Sequence, residues 1–436
     1  MRLKPVFLPL LLCFLLSLAN FNAFAQATRL TLDDAVNLAI EYNLNLQKHQ
    51  IDLAASGYSE KKLWSEIFPS INASASVGYR TGLFSDTSNS MVIYNIGLNV
   101  NLGLNAGIPY TIRNIRLAHR GNILRYEDAR NQLVIQITKR FYSCVAEKNN
   151  LLFLEEVLNL AQSQFTRNEV LFRNGLTGEL SLMQSRLAVE NARFNLIAAR
   201  TAYNNNMSEF LAMLGMSSDS GAELLGEVNI KKIDTDAELL IREHLHLRPD
   251  IVRAAQEIER LENVRMQTAM QSRSPSVNLS VDWNSLALDP FTDSLSATAR
   301  LSIPIDPWIP GTSRAQAIAR AADAVEKAKL DLEITETSAR TQIHSLSALL
   351  RNSWESIFIA RLSLEVANRG YQLTEQGFRN GTIEALVLQD ARNNMANAMQ
   401  RLLQAELSYF NMILDLSAAL NIDWKNFIQI YGVIGE

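Results

Sequence analysis

The sequence predicts an α+β membrane protein. In this fold class, a long antiparallel α-helical coiled-coil barrel joins a transmembrane β-barrel that several copies of the chain complete, with four strands from each. Three observations predict it. Prolines, which break helix interiors, are absent from residues 110–248 and from every position after 310. Apolar residues recur every seven positions inside these stretches, and four short segments alternate apolar with small polar residues.

The N-terminus has the pattern of an export signal. Arg2 and Lys4 precede an apolar run at 6–18, and Ala23-Phe24-Ala25 provides a small-x-small cleavage pattern. We therefore expect residues 1–25 to be a signal peptide. The alternative, a membrane anchor, is less favoured because the apolar run is short for a bilayer span.

Composition and motifs exclude several classes of protein. The formal net charge of −4 leaves no basic excess for a nucleic-acid binder. The sequence contains no HExxH, GxSxG, GxxxxGK or CxxC motif, so we expect no enzymatic step and no cofactor. Cys144 lies in a seven-residue repeat, which favours core packing over catalysis. His244 and His246 form a weak metal-binding pair, and surface histidines are the favoured interpretation.

The chain repeats itself at an offset of about 206 residues, which indicates a duplicated module. We expect one structural repeat at 26–228 and a second at 229–436. Two tetrapeptides carry the repeat: Phe172–Gly175 recurs as Phe378–Gly381, and Pro69–Asn72 recurs as Pro275–Asn278.

Each repeat contains a predicted hairpin of long helices. A sustained seven-residue apolar repeat keeps one seam of a helix against its partner. The Asn-Gly pairs predict that the two hairpins turn at 172–176 and 378–382, because glycine ends helices with a positive φ. The outward seams are Ile137, Cys144, Leu151, Leu158, Phe165 and Phe172, and Ile343, Leu350, Ile357, Leu364, Tyr371 and Phe378. The seams of the return helices are Leu182, Val189, Leu196, Tyr203 and Phe210, and Leu388, Met395, Leu402, Tyr409 and Leu416.

Four segments with a period of two are predicted strands. Their length suits a tilted bilayer crossing, and a small polar face is typical of a water-filled barrel lumen. Asp282 and Arg300 fall on that polar face. The predicted export of the protein and the aromatic residues near the strand ends favour a barrel. The alternative is a soluble β-sandwich with one solvent-exposed face. The strands are expected at about 70–80, 94–104, 276–285 and 295–305.

Four strands cannot close a barrel by themselves. Open strand edges in lipid would leave backbone donors and acceptors unsatisfied, at several kcal/mol each. Strands that cross a membrane must therefore pair with strands of other copies of the chain.

Three sequence features together resemble the TolC-like outer-membrane efflux proteins, also called outer membrane factors. They are the segment Leu30–Ala39 followed by Asn43, the two Phe-Arg-Asn-Gly turns, and Arg248-Pro249-Asp250. The resemblance covers about residues 30–425.

The resemblance implies a homotrimer in the cell outer membrane, with a twelve-stranded barrel in lipid and a helical tunnel extending into the periplasm. It implies an exit channel of a tripartite efflux or type I secretion system, which passively conducts drugs, metals or polypeptides. Its partners would be a periplasmic adaptor and an inner-membrane transporter. The alternative function is a periplasmic coiled-coil scaffold with a soluble β-sheet.

The resemblance also implies sites. Asp390 and Gln184 map to the periplasmic aperture, where three copies of Asp390 would form an acidic ring; an ordinary solvated carboxylate is the alternative. Val387, at a second aspartate position of the family, cannot supply a charge, and Ser181, Phe378 and Ile383 depart from the family's latch. The adaptor-docking turns would be Phe172, Arg173, Asn174, Gly175 and Leu176, and Phe378, Arg379, Asn380, Gly381 and Thr382.

Overall fold

The computed structural model describes residues 28–80, 91–217, 221–226, 230–287 and 292–433. The expected signal peptide, 1–25, lies outside these ranges. The elements in chain order are β1 (Thr28–Leu30), α1 (Leu32–Tyr42), α2 (Leu44–Lys61), β2 (Ser70–Arg80), β3 (Met91–Asn105), α3 (Ile108–Arg173), α4 (Glu179–Met213), β4 (Ala222–Leu224), α5 (Ala237–His244), α6 (Pro249–Arg273), β5 (Ser276–Ala287), β6 (Thr292–Ser302), α7 (Ser313–Arg379), α8 (Ala385–Ala419) and α9 (Trp424–Tyr431).

The same order of elements occurs twice along the chain. A helix, two strands, a long helix and a return helix appear as α2-β2-β3-α3-α4 and again as α6-β5-β6-α7-α8. The long helices contain 66 and 67 residues, and both return helices contain 35. No described helix combines the length and the apolar character that a membrane span requires.

The chain divides into two compact units. The first unit comprises Met1–Gln47, Ala129–Arg242 and Gln342–Glu436, and the second comprises Lys48–Asp128 and Glu243–Thr341.

The core of the first unit is the seven-residue seam. Buried seam residues occur on all four long helices, as the periodicity predicted, because each seam position faces a neighbouring helix. Members with no more than 9% exposure are Ile137, Cys144, Val189, Leu196, Phe210, Ile343, Leu350, Ile357, Tyr371, Leu388, Tyr409 and Leu416.

Segments that are distant in sequence complete the first unit. Strand β1 pairs in parallel with β4, and Ile233 forms an isolated antiparallel bridge with Gly432, just after α9. The buried Tyr409 hydroxyl on α8 accepts a hydrogen bond from the Ile233 amide at 2.8 Å and donates one to the Lys231 carbonyl at 3.1 Å. One tyrosine therefore holds the segment at 231–233 against α8.

The second unit contains a four-stranded antiparallel sheet in the order β2-β3-β5-β6. Strand β3 begins at Met91, three residues before the expected start at 94. The prediction of a strand at 295–305 was wrong at both ends, because β6 runs from Thr292 to Ser302. Pro304 lacks an amide proton and cannot donate to a strand ladder, so the strand ends before it.

Helix α6 packs along the first turns of α3 in the second unit. The Gln256 side chain donates to the Leu117 carbonyl at 3.0 Å, and the Asn263 side chain donates to the Tyr110 carbonyl at 2.8 Å. Arg253 pairs with Asp128. These side chains tie the two helices together, and α3 begins three residues after strand β3 ends.

Candidate functional site

The two expected tip turns, 172–176 and 378–382, share one backbone geometry. Gly175 has a φ of +72° and Gly381 a φ of +74°. In each turn the glycine amide bonds to the carbonyl three residues earlier, and the next amide bonds to the carbonyl five residues earlier. This is the Schellman pattern, which satisfies carbonyls that the helix end would leave free. The bonds are Gly175–Phe172 at 2.9 Å, Leu176–Leu171 at 2.8 Å, Gly381–Phe378 at 3.1 Å and Thr382–Gly377 at 2.9 Å.

Each tip turn exposes an arginine that is paired within its own helix. Arg173 contacts Glu169 at 2.7 Å, and Arg379 contacts Glu375 at 2.7 Å. The arginine side chains remain 72% and 61% exposed, and Leu176 is 72% exposed. Each turn therefore presents a hydrogen-bonded backbone and an exposed positive charge to any partner, and the first turn adds an exposed apolar side chain.

The expected aperture residues lie in equivalent positions of the return helices. Gln184 lies on α4, five residues after its first residue, and Asp390 has the same position on α8. Asp390 is exposed and Gln184 is half-buried. Val387, one turn before Asp390, is 49% exposed and presents an apolar surface without a charge.

The sheet of the second unit has one apolar face that no described part of the chain covers. The register places Ile71 beside Val100, Leu98 beside Trp283, and Val277 beside Leu301. Apolar side chains on this face that are at least 38% exposed are Ile71, Val77, Tyr79, Val92, Tyr94, Ile96, Leu98, Leu279, Val281, Trp283, Leu295 and Leu301. Apolar area this extensive marks an interaction surface with lipid or protein.

The opposite face of the sheet is small and polar, and it carries both expected lumen charges. Asp282 pairs in register with Asn99, whose side-chain amide donates to the carboxylate. Arg300 pairs in register with Asn278, which lies four residues before Asp282 along β5. The structure therefore places the two charges on one face without joining them in an ion pair.

Burial raises the pKa values of two neighbouring groups inside the first unit, Cys144 and Glu147. Desolvation raises the pKa of the Cys144 thiol to about 12, and the nearby Glu147 carboxylate contributes to this shift. Burial also raises the pKa of Glu147, and hydrogen bonds from Asn206 and Ser143 oppose the shift. A thiol with so high a pKa is unreactive, which agrees with the predicted packing role of Cys144.

The paired histidines near the repeat join lie at the end of α5 and in the turn that follows it. Within the described residues, no group of three or more His, Cys, Asp or Glu side chains is arranged to hold a metal. His244 contacts Glu243 at 3.7 Å, and its side chain is only 18% exposed. His244 is therefore half-buried, whereas His246, in the turn Leu245–Leu247, is exposed as expected of a surface histidine.

Sequence reasoning missed a cleft of about 780 Å³ in the first unit. Helices α3, α4 and α8 line it with alanines and side-chain amides, and its two charged residues are Glu147 and Arg392. Arg392 is 2% exposed. The seven-residue repeat gave no signal for this site, because residue 392 lies outside the predicted seam.

Comparison with known proteins identifies one family. A family profile described as "Outer membrane efflux protein" matches residues 35–216 and again 240–421. The toluene efflux pump outer membrane protein TtgC of Pseudomonas putida is 23% identical over 297 residues, which are 67% of this chain and 61% of that protein. The antibiotic efflux pump outer membrane protein ArpC of Pseudomonas putida has the same identity and coverage. The aligned part of the chain thus spans about 61% of the length of these relatives.

Solved structures share the fold. The Campylobacter jejuni CmeC outer membrane channel matches with a TM-score of 0.74 at 18% identity, covering 92% of this chain and 89% of that one. The Vibrio cholerae outer membrane protein VceC matches with a TM-score of 0.72 at 15% identity, covering 90% and 96%. Because the family profile matches more than half of the residues, in two consecutive segments, this chain belongs to the outer membrane efflux protein family.

Proposed function

We propose that this chain forms the passive outer-membrane exit channel of a tripartite efflux or type I secretion system. It acts as a homotrimer in which each copy contributes four strands to a closed β-barrel and four long helices to a periplasmic tunnel. The channel performs no chemical step, and transport energy comes from its partners. The observation that carries the proposal is the four-stranded sheet with two open edges and one exposed apolar face.

The open edges require partners. Among the described residues, β2 pairs only with β3, and β6 pairs only with β5. Each edge strand has 11 residues, so each presents a long row of backbone groups. In hydrocarbon these groups must be paired, and joining β2 of one copy to β6 of the next pairs all of them without adding a new element.

The two faces of the sheet fix the orientation of such a barrel. The apolar face, which includes Ile96 and Leu98, would contact lipid. The face with Asp282 and Arg300 would line the water-filled lumen, where both charges remain hydrated. The reverse orientation would place charges in hydrocarbon, at a cost of about 2–4 kcal/mol for an arginine at the midplane.

The partners follow from the tip turns and from the named relatives. TtgC is a component of a toluene efflux pump and ArpC of an antibiotic efflux pump, so a pump component of that kind is proposed for this chain as well. The tip turns at 172–176 and 378–382 would contact a periplasmic adaptor, which couples the channel to an inner-membrane transporter. The repeats at 26–228 and 229–436 would supply one tip turn each.

Extraction and conductance measurements test the proposal. The channel should stay in the outer membrane through washes with high salt and with alkaline carbonate, and should require detergent for release. The purified protein should have the mass of three chains by light scattering and should conduct ions in planar bilayers. The periplasmic scaffold, which no comparison favours, predicts release by the washes and no conductance.

A further inference from the structure

A buried arginine in the first unit has hydrogen-bond donors that no described group accepts. Arg392, on α8, is 2% exposed, and its Nε and Nη2 atoms have no hydrogen-bond partner among the described residues. Its guanidinium lies over the Tyr371 ring, 6.0 Å from the ring centroid. Stacking on a ring partly compensates the charge, but it leaves the in-plane donors unused.

The unused donors belong to a side chain that lines the cleft between α3, α4 and α8. The cleft has a volume of about 780 Å³, which is ample for a small organic anion. Side-chain amides from all three helices line it with Arg392, among them Asn150, Asn191, Asn195, Gln389, Asn393 and Asn397. Each amide group carries two N–H donors, and a bound molecule can also use its carbonyl oxygen.

The acid that lines the cleft does not neutralise Arg392. Glu147 accepts hydrogen bonds from Asn206 at 2.6 Å and from Ser143 at 3.4 Å. No described salt bridge or hydrogen bond joins Glu147 to Arg392, whose Nε and Nη2 atoms have no partner. The positive charge in the cleft is therefore free to attract an anion.

We propose that Arg392 is the anchor of a binding site for a small oxyanion, a carboxylate or a phosphate group, inside each chain. A planar guanidinium with two adjacent free donors matches the two oxygens of such a group. The neighbouring amides Gln389 and Asn393 complete the site from the same helix. The site lies within one chain, so it does not depend on the proposed trimer or on conduction.

Burial without a partner makes the arginine costly for folding in the absence of a ligand. A buried charge that lacks hydrogen bonds destabilises the fold, and replacing it with an apolar residue of similar volume is neutral or stabilising. Arg392→Met should therefore unfold at a melting temperature equal to or above that of the wild type in chloride. In the presence of the ligand, the order should reverse, because only the wild type gains from binding.

Thermal unfolding of the detergent-extracted full chain tests the site. Sodium acetate and sodium phosphate are titrated separately against sodium chloride at constant ionic strength, which distinguishes a carboxylate from a phosphate preference. We expect at least one of them to raise the melting temperature of the wild type, with binding at least about tenfold weaker in Arg392→Met. Arg401→Gln, which removes an exposed arginine on the same helix, should respond like the wild type.

Two results would overturn the inference. One is a wild type that neither anion stabilises relative to chloride. The other is an equal anion response in the wild type and in Arg392→Met. Should Arg392→Met fail to fold, Arg392→Lys is used instead. Lysine keeps the charge but lacks the planar guanidinium, so the anions should stabilise this variant less than the wild type. An undiminished anion response in Arg392→Lys would also contradict the site.

Discussion

Reversing both tip charges should weaken adaptor docking while leaving the assembly intact. The change is Arg173→Glu combined with Arg379→Glu. In the structure, each arginine contacts a glutamate one helical turn earlier, Glu169 or Glu375, at 2.7 Å. An exposed pair with this spacing stabilises a helix by about 0.3–0.5 kcal/mol, and the like-charge pair that replaces it costs a similar amount.

The local cost is therefore about 1 kcal/mol or less at each turn. The Schellman bonds of both turns involve backbone atoms alone, so the turns should keep their shape. A large effect would have to come from the lost positive charge at the partner surface, where placing like charges together costs several kcal/mol.

The assay is chemical cross-linking of the affinity-tagged full chain in its host, followed by capture and quantification of the adaptor. Glu169→Arg with Arg173→Glu, made together with the equivalent swap at Glu375 and Arg379, is the matched control. The swapped variant restores both ion pairs but moves the positive charge one turn away from the tip. It therefore separates the position of the charge from the loss of the ion pairs, and it should also capture less adaptor. Undiminished capture by the doubly reversed variant, with trimers still present, would refute the assignment of 172–176 and 378–382 as docking turns.

Three further predictions follow from single side chains. Tyr409→Phe should lower the free energy of unfolding by about 1–3 kcal/mol, because it leaves the Ile233 amide and the Lys231 carbonyl without their shared hydroxyl. Chemical denaturation measures this change. The control Tyr58→Phe, at an exposed ring, should change the free energy of unfolding little. The Cys144 thiol should resist alkylation in the folded protein between about pH 7 and 9, because burial raises its pKa to about 12. It should react once the protein unfolds. Rapid alkylation of the folded protein would contradict the burial. The raised pKa of Cys144 also makes the free energy of unfolding depend on pH. Its contribution is fully present at pH values below the ordinary thiol pKa, and it should be lost as the pH rises towards 12. Asp390→Asn should reduce cation selectivity in planar bilayers, and unchanged reversal potentials would remove Asp390 from the aperture.

Local periodicity predicted the helices and their turns well. The seam from Ile137 to Phe172 is a property of consecutive residues, so it could be read without knowing the partner helix, and most of its members are buried or half-buried. The Asn-Gly pairs likewise predicted the positive φ at Gly175 and Gly381, because that backbone conformation favours glycine.

Features set by distant parts of the chain could not be predicted. Strand β1 and its partner β4 have three residues each, which is too short for an alternation signal. The limits of β6 depend on its register with β5, where Ser276 pairs with Ser302. Arg392 lies four residues after the seam residue Leu388, but its charged side chain gives no apolar signal, and the cleft that it lines is built with helices α3 and α4, which lie far away in the sequence.

Cysteine labelling along β3 tests most directly whether these strands cross a membrane around a water-filled lumen. In a Cys144→Ser background, single cysteines replace residues 94–101 one at a time, and intact outer membranes are treated with a membrane-impermeant maleimide. We expect odd positions such as Asn95 and Asn101 to react, while even positions such as Ile96 and Leu98 are protected by lipid. Equal labelling of odd and even positions, in protein that the membranes release without detergent, would contradict a sheet that crosses the membrane.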